Sequence, residues 1–140
     1  MTPESAYLDQ RLENLSPEKT VLEQLQAANR TATGRDLRMR LAQLGLDAQK
    51  IVTPSGSLSG GERLKGALAC ILYADSLPQL LLLDEPSNHL DLRSVQALEV
   101  MSRNYHGALV VVSHDDTFLK NIGLTDCLVG TEHGWNVQPL

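Results

Sequence analysis

Two short runs of continuous apolar residues stand out in the second half of the chain, the four leucines at 80–83 and Ala108–Val112. Runs of this length, bounded by polar residues, are typical of strands buried on both faces of a parallel sheet. Between them, apolar residues recur every third position over residues 92–105, which predicts a helix that ends before Gly107. A strand, a helix and a second apolar strand in this order predict a right-handed parallel βαβ unit. The apolar residues of the helix are Val95, Leu98 and Met101.

Residues 16–76 follow a helical pattern instead. Ser16 and Pro17 suit the N-cap and the first position of a helix, which we expect to run to about Ala28. After the polar stretch "ANRTATG", leucines at i, i+4 and i+7 predict a second helix with Gly45 as its C-terminal cap. A third helix, roughly residues 62–74, follows the polar stretch "VTPSGS". The residues that carry the three periodicities are Val21, Leu22 and Leu25, then Leu37, Leu41 and Leu44, then Leu64, Leu68, Ile71 and Leu72.

The pattern after residue 114 is shorter and more polar. "TFLKNI" predicts a short helix, and "TDCLVG" and "WNVQPL" predict a terminal antiparallel pair of strands with "EHG" as the turn. The fold class that results is α/β, with a helical part followed by a parallel βαβ layer and short C-terminal strands.

The composition is typical of a single globular domain. The 140 residues favour one domain, and 42% apolar residues are enough for a modest core. A net charge of −5 provides no basic surface and counts against direct nucleic-acid binding by the chain alone. Cys70 and Cys127 are far apart and form no CxxC pair, so two reduced thiols are expected. Because no run approaches the ~18 apolar residues of a membrane span and the N-terminus is unlike a signal peptide, we expect a soluble cytoplasmic protein.

Acidic and imidazole side chains follow both predicted strands at the point where each strand ends. Asp84 and Glu85 follow the first strand, and Ser113, His114 and Asp115 follow the second. Parallel strands place their carboxyl ends on one edge of the sheet, where α/β proteins bind ligands. This edge therefore suits metal-assisted chemistry with a proton-accepting carboxylate. Taken alone, His114 is also compatible with a structural role.

A second polar constellation, "LSGGE" at residues 58–62, precedes the third helix. Ser59 and Glu62 have the Ser-x-x-Glu spacing of a capping box, and this local role is a complete explanation of the motif when it is taken singly. Gly60 and Gly61 would also let a ligand approach the backbone, and a helix N-terminus attracts anions. A phosphate is the anion that this arrangement favours.

Together these stretches resemble the ABC-type nucleotide-binding domain. "LSGGE", "LLLLDEPSNHLD" and "VVVSHD" occur in the order and approximate spacing of its signature motif, Walker B with D-loop, and switch-histidine loop. "NHLD" is similar to the ABC-F branch, soluble ATPases that commonly act on ribosomes, and "YLDQ" resembles the stretch around its Q-loop. The resemblance implies three parts: an upstream strand and Q-loop at 1–15, a helical subdomain at 16–76, and an α/β catalytic-core portion at 77–140.

The resemblance also implies roles for the residues at the sheet edge. Asp84 would orient Mg²⁺ through water, and Glu85 would polarise the water that attacks the γ-phosphate of ATP. His114 would contact the γ-phosphate. Gln10 would help to position both the metal and the water.

Two further sets of residues would act across a dimer of such domains. Asp91 would couple the two sites of the dimer, a role compatible with its being the N-cap of the following helix. Ser59, Gly60 and Gly61 would close over ATP bound to the opposite subunit or domain.

The phosphate-binding loop of the family, GxxxxGK[ST], does not occur in these 140 residues. Gly56 and Gly61 have the right separation, but Glu62 and Arg63 follow where Lys and Ser or Thr are required. In the family this loop lies upstream of the position of Gln10. We therefore expect the C-terminal part of an ABC-F-like domain, which binds ATP and Mg²⁺ only once the domain is completed and is inactive alone.

Three functions stay open at this point. The chain is part of an ATPase that a half carrying the phosphate-binding loop completes, or a module that docks its signature face on an intact nucleotide-binding domain in trans, or a remnant without activity. A transporter subunit is disfavoured, since "SNHLD" departs from the usual transporter D-loop. The expected partners are a second ABC domain or the N-terminal half, with a homo-oligomer as an alternative and the ribosome implied by resemblance alone.

Overall fold

A computed structural model describes residues 5–8, 15–88 and 90–140. The elements in chain order are β1 (Ser5–Leu8), α1 (Val21–Ala28), α2 (Gly34–Gln43), α3 (Gly60–Leu72), β2 (Leu80–Asp84), α4 (Leu92–Arg103), β3 (Ala108–Val112), α5 (Asp116–Asn121), β4 (Asp126–Thr131) and β5 (Gly134–Pro139), with short 3-10 helices at Lys50–Val52 and Ser55–Ser57. The α/β class and the βαβ unit β2-α4-β3 are therefore confirmed. None of the helices in the described ranges has the length and apolar character that a membrane crossing requires.

The three-stranded sheet is parallel, in the order β1-β2-β3. One face carries the fully buried Leu8, Leu81 and Leu83, which belong to the main core. The opposite face carries Tyr7, Val110 and Val112, whose side chains are about half exposed (48, 43 and 54%). The prediction that the apolar strands are buried on both faces is thus wrong, because the described residues cover only one face of the sheet.

The helix α1 begins later than the sequence predicts. Thr20 is its N-cap, and the Thr20 hydroxyl accepts a hydrogen bond from the backbone N–H of Glu23 at 3.1 Å. Ser16 lies before the helix, and its backbone N–H donates to the side chain of Gln24 at 2.8 Å. The Ser-Pro pair fits a helix start locally, but Thr20 provides the hydroxyl that satisfies the first turn.

The helix α2 ends as predicted, in a Schellman motif. Gly45 has a φ of 87°, and its backbone N–H donates to Ala42 O at 2.9 Å. The backbone N–H of Leu46 donates to Leu41 O at 3.0 Å. Glycine suits this position because other residues adopt a positive φ only with strain.

The helices α1 and α3 pack closely through a glycine. A Cβ built on Gly66 would lie 2.8 Å from Cγ2 of Val21, a residue that is fully buried. Around this contact the core of the helical part consists almost entirely of leucine. The aliphatic core therefore depends on a position without a side chain, which lets the two helix backbones approach.

The C-terminal hairpin is confirmed as an antiparallel pair. β4 pairs with β5, and the pairing places Leu128 opposite Val137 and Gly130 opposite Trp135. These side chains share one face of the ribbon by their spacing, and Leu128, Trp135 and Val137 are mostly exposed. The hairpin forms a sheet of its own.

Candidate functional site

The strands β2 and β3 end at the same edge of the sheet. Asp84 is paired with Val112, and the backbone N–H of Glu85 donates to Val112 O at 2.7 Å. Glu85 has a φ of 47°, in the left-handed region that favours glycine. The chain therefore turns sharply at Glu85, and the turn is held by a hydrogen bond to the last residue of β3.

This turn brings Glu85 to His114, as the strand ends predicted. Glu85 Oε1 lies 3.7 Å from His114 Nδ1, and the backbone N–H of His114 donates to Glu85 Oε2 at 3.4 Å. The imidazole is 92% exposed, whereas the carboxylate is 19% exposed. The carboxylate is thus fixed against the edge of the sheet, while the imidazole extends into solvent above it.

Asp84 has different surroundings, although it is the neighbour of Glu85. The Tyr7 hydroxyl donates to Asp84 Oδ2 at 2.9 Å. Tyr7 is paired with Leu82, two residues before Asp84, so both side chains lie on the same face of the sheet. No local signal in the sequence reveals this bond, because it joins residues 77 positions apart and depends on the register of β1.

The start of α3 is the capping box that the sequence predicts. The backbone N–H of Ser59 donates to Glu62 Oε1 at 2.9 Å, and the backbone N–H of Glu62 donates to Ser59 Oγ at 3.2 Å. Lys50 Nζ lies 3.1 Å from Glu62 Oε2. The bond from the Ser59 backbone is the largest cause that lowers the pKa of Glu62, and Lys50 contributes further.

Gly60, at the first position of α3, offers open space. A Cβ built there would meet no atom within 4 Å among the described residues. A ligand can therefore reach the free backbone N–H groups of the first turn, which is what a helix N-terminus needs to bind an anion.

Asp91 is the N-cap of α4, also as predicted. Its carboxylate accepts a hydrogen bond from the backbone N–H of Ser94 at 3.1 Å. Hydrogen bonds from the Ser94 hydroxyl and backbone are the main causes that lower the pKa of Asp91, and the charge of Lys65 adds to them. Asp91 lines the same surface groove as Ser59, between α3 and α4.

The predicted site residues thus fall into two groups. Asp84, Glu85 and His114 lie at the carboxyl edge of the sheet, whereas residues 59–61 and Asp91 lie where α3 and α4 begin. Within the described ranges, no hydrogen bond or ion pair joins the two groups. Gln10, predicted to position metal and water, lies outside the described residues.

A family model described as ABC transporter matches residues 1–88, a stretch that contains β1, the start of α3 and the turn at Glu85. The chain belongs to the ABC transporter family. It is part of an ABC domain, and its relatives are of the ABC-F type.

Three relatives show how far this ABC similarity extends. The ATP-binding protein Uup of Haemophilus influenzae is 37% identical over 128 residues, and the match covers 89% of this chain and 19% of that protein. Uup of Escherichia coli is 35% identical over 130 residues, which is 90% of this chain and 20% of that protein. The energy-dependent translational throttle protein EttA of Mycobacterium tuberculosis is 40% identical over 116 residues, 83% of this chain and 20% of that protein. The chain spans about a fifth of the length of these relatives.

Solved ABC structures share the fold. A dimeric bacterial ABC transporter cassette superposes with a TM-score of 0.66 at 23% identity, over 85% of this chain and 56% of that one. A chain from the complex of the archaeal ribosomal stalk protein aP1 with the ribosome recycling factor aABCE1 gives a TM-score of 0.69 at 25% identity, over 91% of this chain and 25% of that one. The observed sheet and helices are therefore part of an ABC cassette fold.

The groups that ABC domains bind fit the residues present. Mg²⁺ prefers carboxylate oxygen together with retained waters and substrate phosphates, so the single carboxylate of Asp84 at a strand end is a suitable donor. In the described part of the chain, no three or more His, Cys, Asp or Glu side chains are grouped so that they could hold a metal ion by themselves. The open approach at Gly60 suits the phosphates of ATP.

Proposed function

We propose that the chain is the C-terminal part of an ABC-F-type domain that binds and hydrolyses ATP once it is completed by the phosphate-binding half. The observation that carries the proposal is the pairing of Glu85 with His114, 3.7 Å apart, at the carboxyl edge of a parallel sheet. A fixed carboxylate next to an exposed imidazole is able to serve a reaction in which water loses a proton and a phosphate gains charge.

Each residue at the carboxyl edge of the sheet has a separate role in this proposed reaction. Glu85 orients the attacking water and accepts the proton that it loses as the water oxygen bonds to the γ-phosphorus. His114 donates a hydrogen bond to the γ-phosphate, and the bond from the γ-phosphorus to the bridging oxygen breaks, which releases ADP and phosphate. Asp84, which accepts a hydrogen bond from the Tyr7 hydroxyl, would hold the metal through water. Mg²⁺, when bound, supplies the positive charge that neutralises the phosphates.

Residues 59–61 act on a different nucleotide. We assign them to the signature motif, which closes over ATP held by the opposite subunit or domain, and we assign Asp91 to the coupling of the two sites. In the described ranges no hydrogen bond or ion pair joins them to Glu85 or His114, which supports this assignment, since one chain then contributes to two composite sites. Gln10 is assigned to the positioning of metal and water on the basis of the family resemblance.

The first test compares the isolated chain with a completed domain. Because these 140 residues contain no GxxxxGK[ST] sequence, the isolated chain should bind no Mg-ATP in calorimetry and should not hydrolyse it. Micromolar binding would contradict this, because about 8 kcal/mol of binding free energy would then come from other contacts.

The second arm tests the role of Glu85 itself. In a protein that joins the chain to a half carrying the phosphate-binding loop, Glu85→Gln should lower kcat by roughly 10²–10⁴-fold, because the variant removes the proton acceptor. Nucleotide affinity should be retained, since the amide keeps the size and the hydrogen-bonding capacity of the side chain. Glu132→Gln, in the hairpin turn, is the matched control for the loss of one carboxylate. Equal rates for the two variants would rule out the catalytic role.

A second candidate function is a docking module that closes a composite site in trans without its own catalysis. The observation that favours it is that residues 59–61 are preformed by the capping box and that Gly60 is open to a partner. In a pull-down with an intact ABC-F protein such as Uup, ATP should then promote binding. Gly60→Ala should weaken this binding, whereas Glu85→Gln should not change it.

The relatives also suggest where the completed protein acts. EttA is named an energy-dependent translational throttle protein, and one structural neighbour comes from a complex with a ribosomal stalk protein. We therefore propose the translation machinery as the partner of the whole protein, with a second ABC domain as the partner of this part. The three-part division at 1–15, 16–76 and 77–140 is proposed on the same resemblance.

A further inference from the structure

The two glycines at the start of α3 have different surroundings. Gly60 is open, as described above, but Gly61 faces the first turn of α4. A Cβ built on Gly61 would lie 2.9 Å from Ser94 Oγ and 3.5 Å from Cδ2 of Leu90. Contacts below 3.0 Å require a neighbour to move, so Gly61 is needed for packing within the chain as well as for any ligand.

Ser94 is not free to move out of the way. Its side chain is buried, with 4% of the residue exposed. Its backbone N–H donates a hydrogen bond to Asp91 Oδ1 at 3.1 Å, and its side chain is the first cause that lowers the pKa of Asp91. A rotation of the hydroxyl away from Gly61 therefore changes the surroundings of the Asp91 carboxylate, the N-cap of α4, which the Ser94 backbone N–H holds.

We propose that Ser94 is a positioning residue that joins the 59–61 segment to Asp91, so that the two segments move as one unit. The connection runs from position 61, where a Cβ would meet the Ser94 hydroxyl, through Ser94 to the Asp91 carboxylate, which accepts from the Ser94 backbone N–H. The consequence for function rests on the proposed ATPase role. The segment that closes over a phosphate and the residue that couples the two sites then reach the opposite subunit together.

This arrangement predicts a specific interaction between two substitutions. Gly61→Ala pushes the Ser94 hydroxyl from its place and disturbs Asp91. Removal of that hydroxyl by Ser94→Ala leaves Leu90 Cδ2 at 3.5 Å and the Cβ of residue 94 at 3.6 Å from the new methyl, and both are ordinary contacts. The harm done by a methyl group at position 61 should therefore be much smaller when residue 94 is alanine.

The experiment measures thermal unfolding of the full chain carrying Gly60→Ala, Gly61→Ala, Ser94→Ala and the Gly61→Ala/Ser94→Ala pair. Gly60→Ala is the matched control, because it places the same methyl one residue earlier in open space. We expect Gly61→Ala to lower Tm on the order of 5 °C relative to Gly60→Ala, and the pair to regain most of that loss. If Gly61→Ala does not fold, folding of the pair supports the contact. Additive shifts, or equal Tm values for the two glycine variants, would overturn the proposal.

A second readout separates positioning from simple packing. In backbone amide NMR spectra, Ser94→Ala should shift the signals of residues 59–62 and should speed hydrogen exchange in this turn, while amides of β4 and β5 stay unchanged. If the signals of residues 59–62 do not move, Ser94 does not position the segment. Neither measurement uses a nucleotide, so failure here leaves the proposed ATPase role standing, and failure of that role leaves this contact standing.

Discussion

Two neighbouring acids at the end of β2 have separate surroundings because the chain turns between them. Asp84 still belongs to the strand and shares one face of the sheet with Tyr7. Glu85 lies in the turn, where it meets the end of β3 and His114. The separate surroundings of Asp84 and Glu85 are consistent with the different roles proposed for them above.

Glu62 gives a prediction about pH at the residue scale. Its pKa is lowered in the folded chain by the Ser59 backbone N–H and by Lys50, so its carboxylate stabilises the fold at neutral pH. This stability is fully present above the ordinary glutamate pKa of about 4.3 and is lost as pH falls through the lowered value. Urea unfolding at pH 7 and at about pH 3 should show wild type losing more stability on acidification than Glu62→Gln.

The control for this measurement is Glu132→Gln, which changes net charge equally at a distance from α3. Wild type and Glu62→Gln should converge in stability at the acidic end, because protonated Glu62 resembles the amide. If acidification destabilises both proteins by the same amount at every pH, the capping-box carboxylate contributes nothing to stability.

At the scale of elements, the contact between α1 and α3 determines how the helical part packs. Gly66→Ala gains about 1 kcal/mol of helix propensity, but its methyl meets Cγ2 of Val21 at 2.8 Å. Overpacking of this kind costs about 1–3 kcal/mol, so we expect a net loss of stability in denaturant unfolding. Gly60→Ala in the same helix is the control and should be neutral or stabilising. A Gly66→Ala protein as stable as that control would show that Val21 adjusts without strain.

Elements with local signals were predicted from the sequence, whereas most side-chain contacts between elements were not. The Gly45 cap, the capping box at Ser59 and the N-cap at Asp91 depend on residues within a few positions of each other, and each was confirmed. The start of α1 was wrong because Ser16 and Thr20 both satisfy a local rule and only the fold selects Thr20.

The candidate site shows the same division. The strand ends predicted that Glu85 and His114 meet, since parallel strands share an edge. Tyr7 and Ser94 were missed, because one reaches Asp84 through strand register and the other reaches Gly61 through the packing of α4 on α3. Neither has a spacing in the sequence that indicates its partner.

On the scale of the whole molecule, the dominant feature is the sheet face that the described residues leave uncovered. Tyr7, Val110 and Val112 expose apolar surface on strands whose apolar composition is typical of burial on both faces. In the described residues β3 is an edge strand, which also leaves hydrogen-bonding groups unpaired with another strand. Both properties favour association with another chain.

We therefore predict that the isolated chain associates with itself in a concentration-dependent way through this face. Val110→Lys should shift the sedimentation velocity distribution toward the monomer, because a charge on this face opposes its burial. Val52→Lys, at an exposed apolar position of the helical part, is the matched control and should leave association unchanged. A chain that is monomeric at all concentrations, or equal effects of the two lysines, would contradict the prediction.

The left-handed backbone conformation of Glu85 lowers the stability of the fold, while the proposed activity needs the Glu85 carboxylate. At a φ of 47°, a residue with a Cβ carries roughly 1–2 kcal/mol of backbone strain, which glycine would avoid. A library randomised at position 85 and selected for heat resistance alone should therefore enrich glycine and asparagine. The same library selected for ATP turnover in a completed domain should return glutamate. Thermostabilised versions of this fold thus need position 85 held constant, because the most stabilising substitutions there also remove the carboxylate.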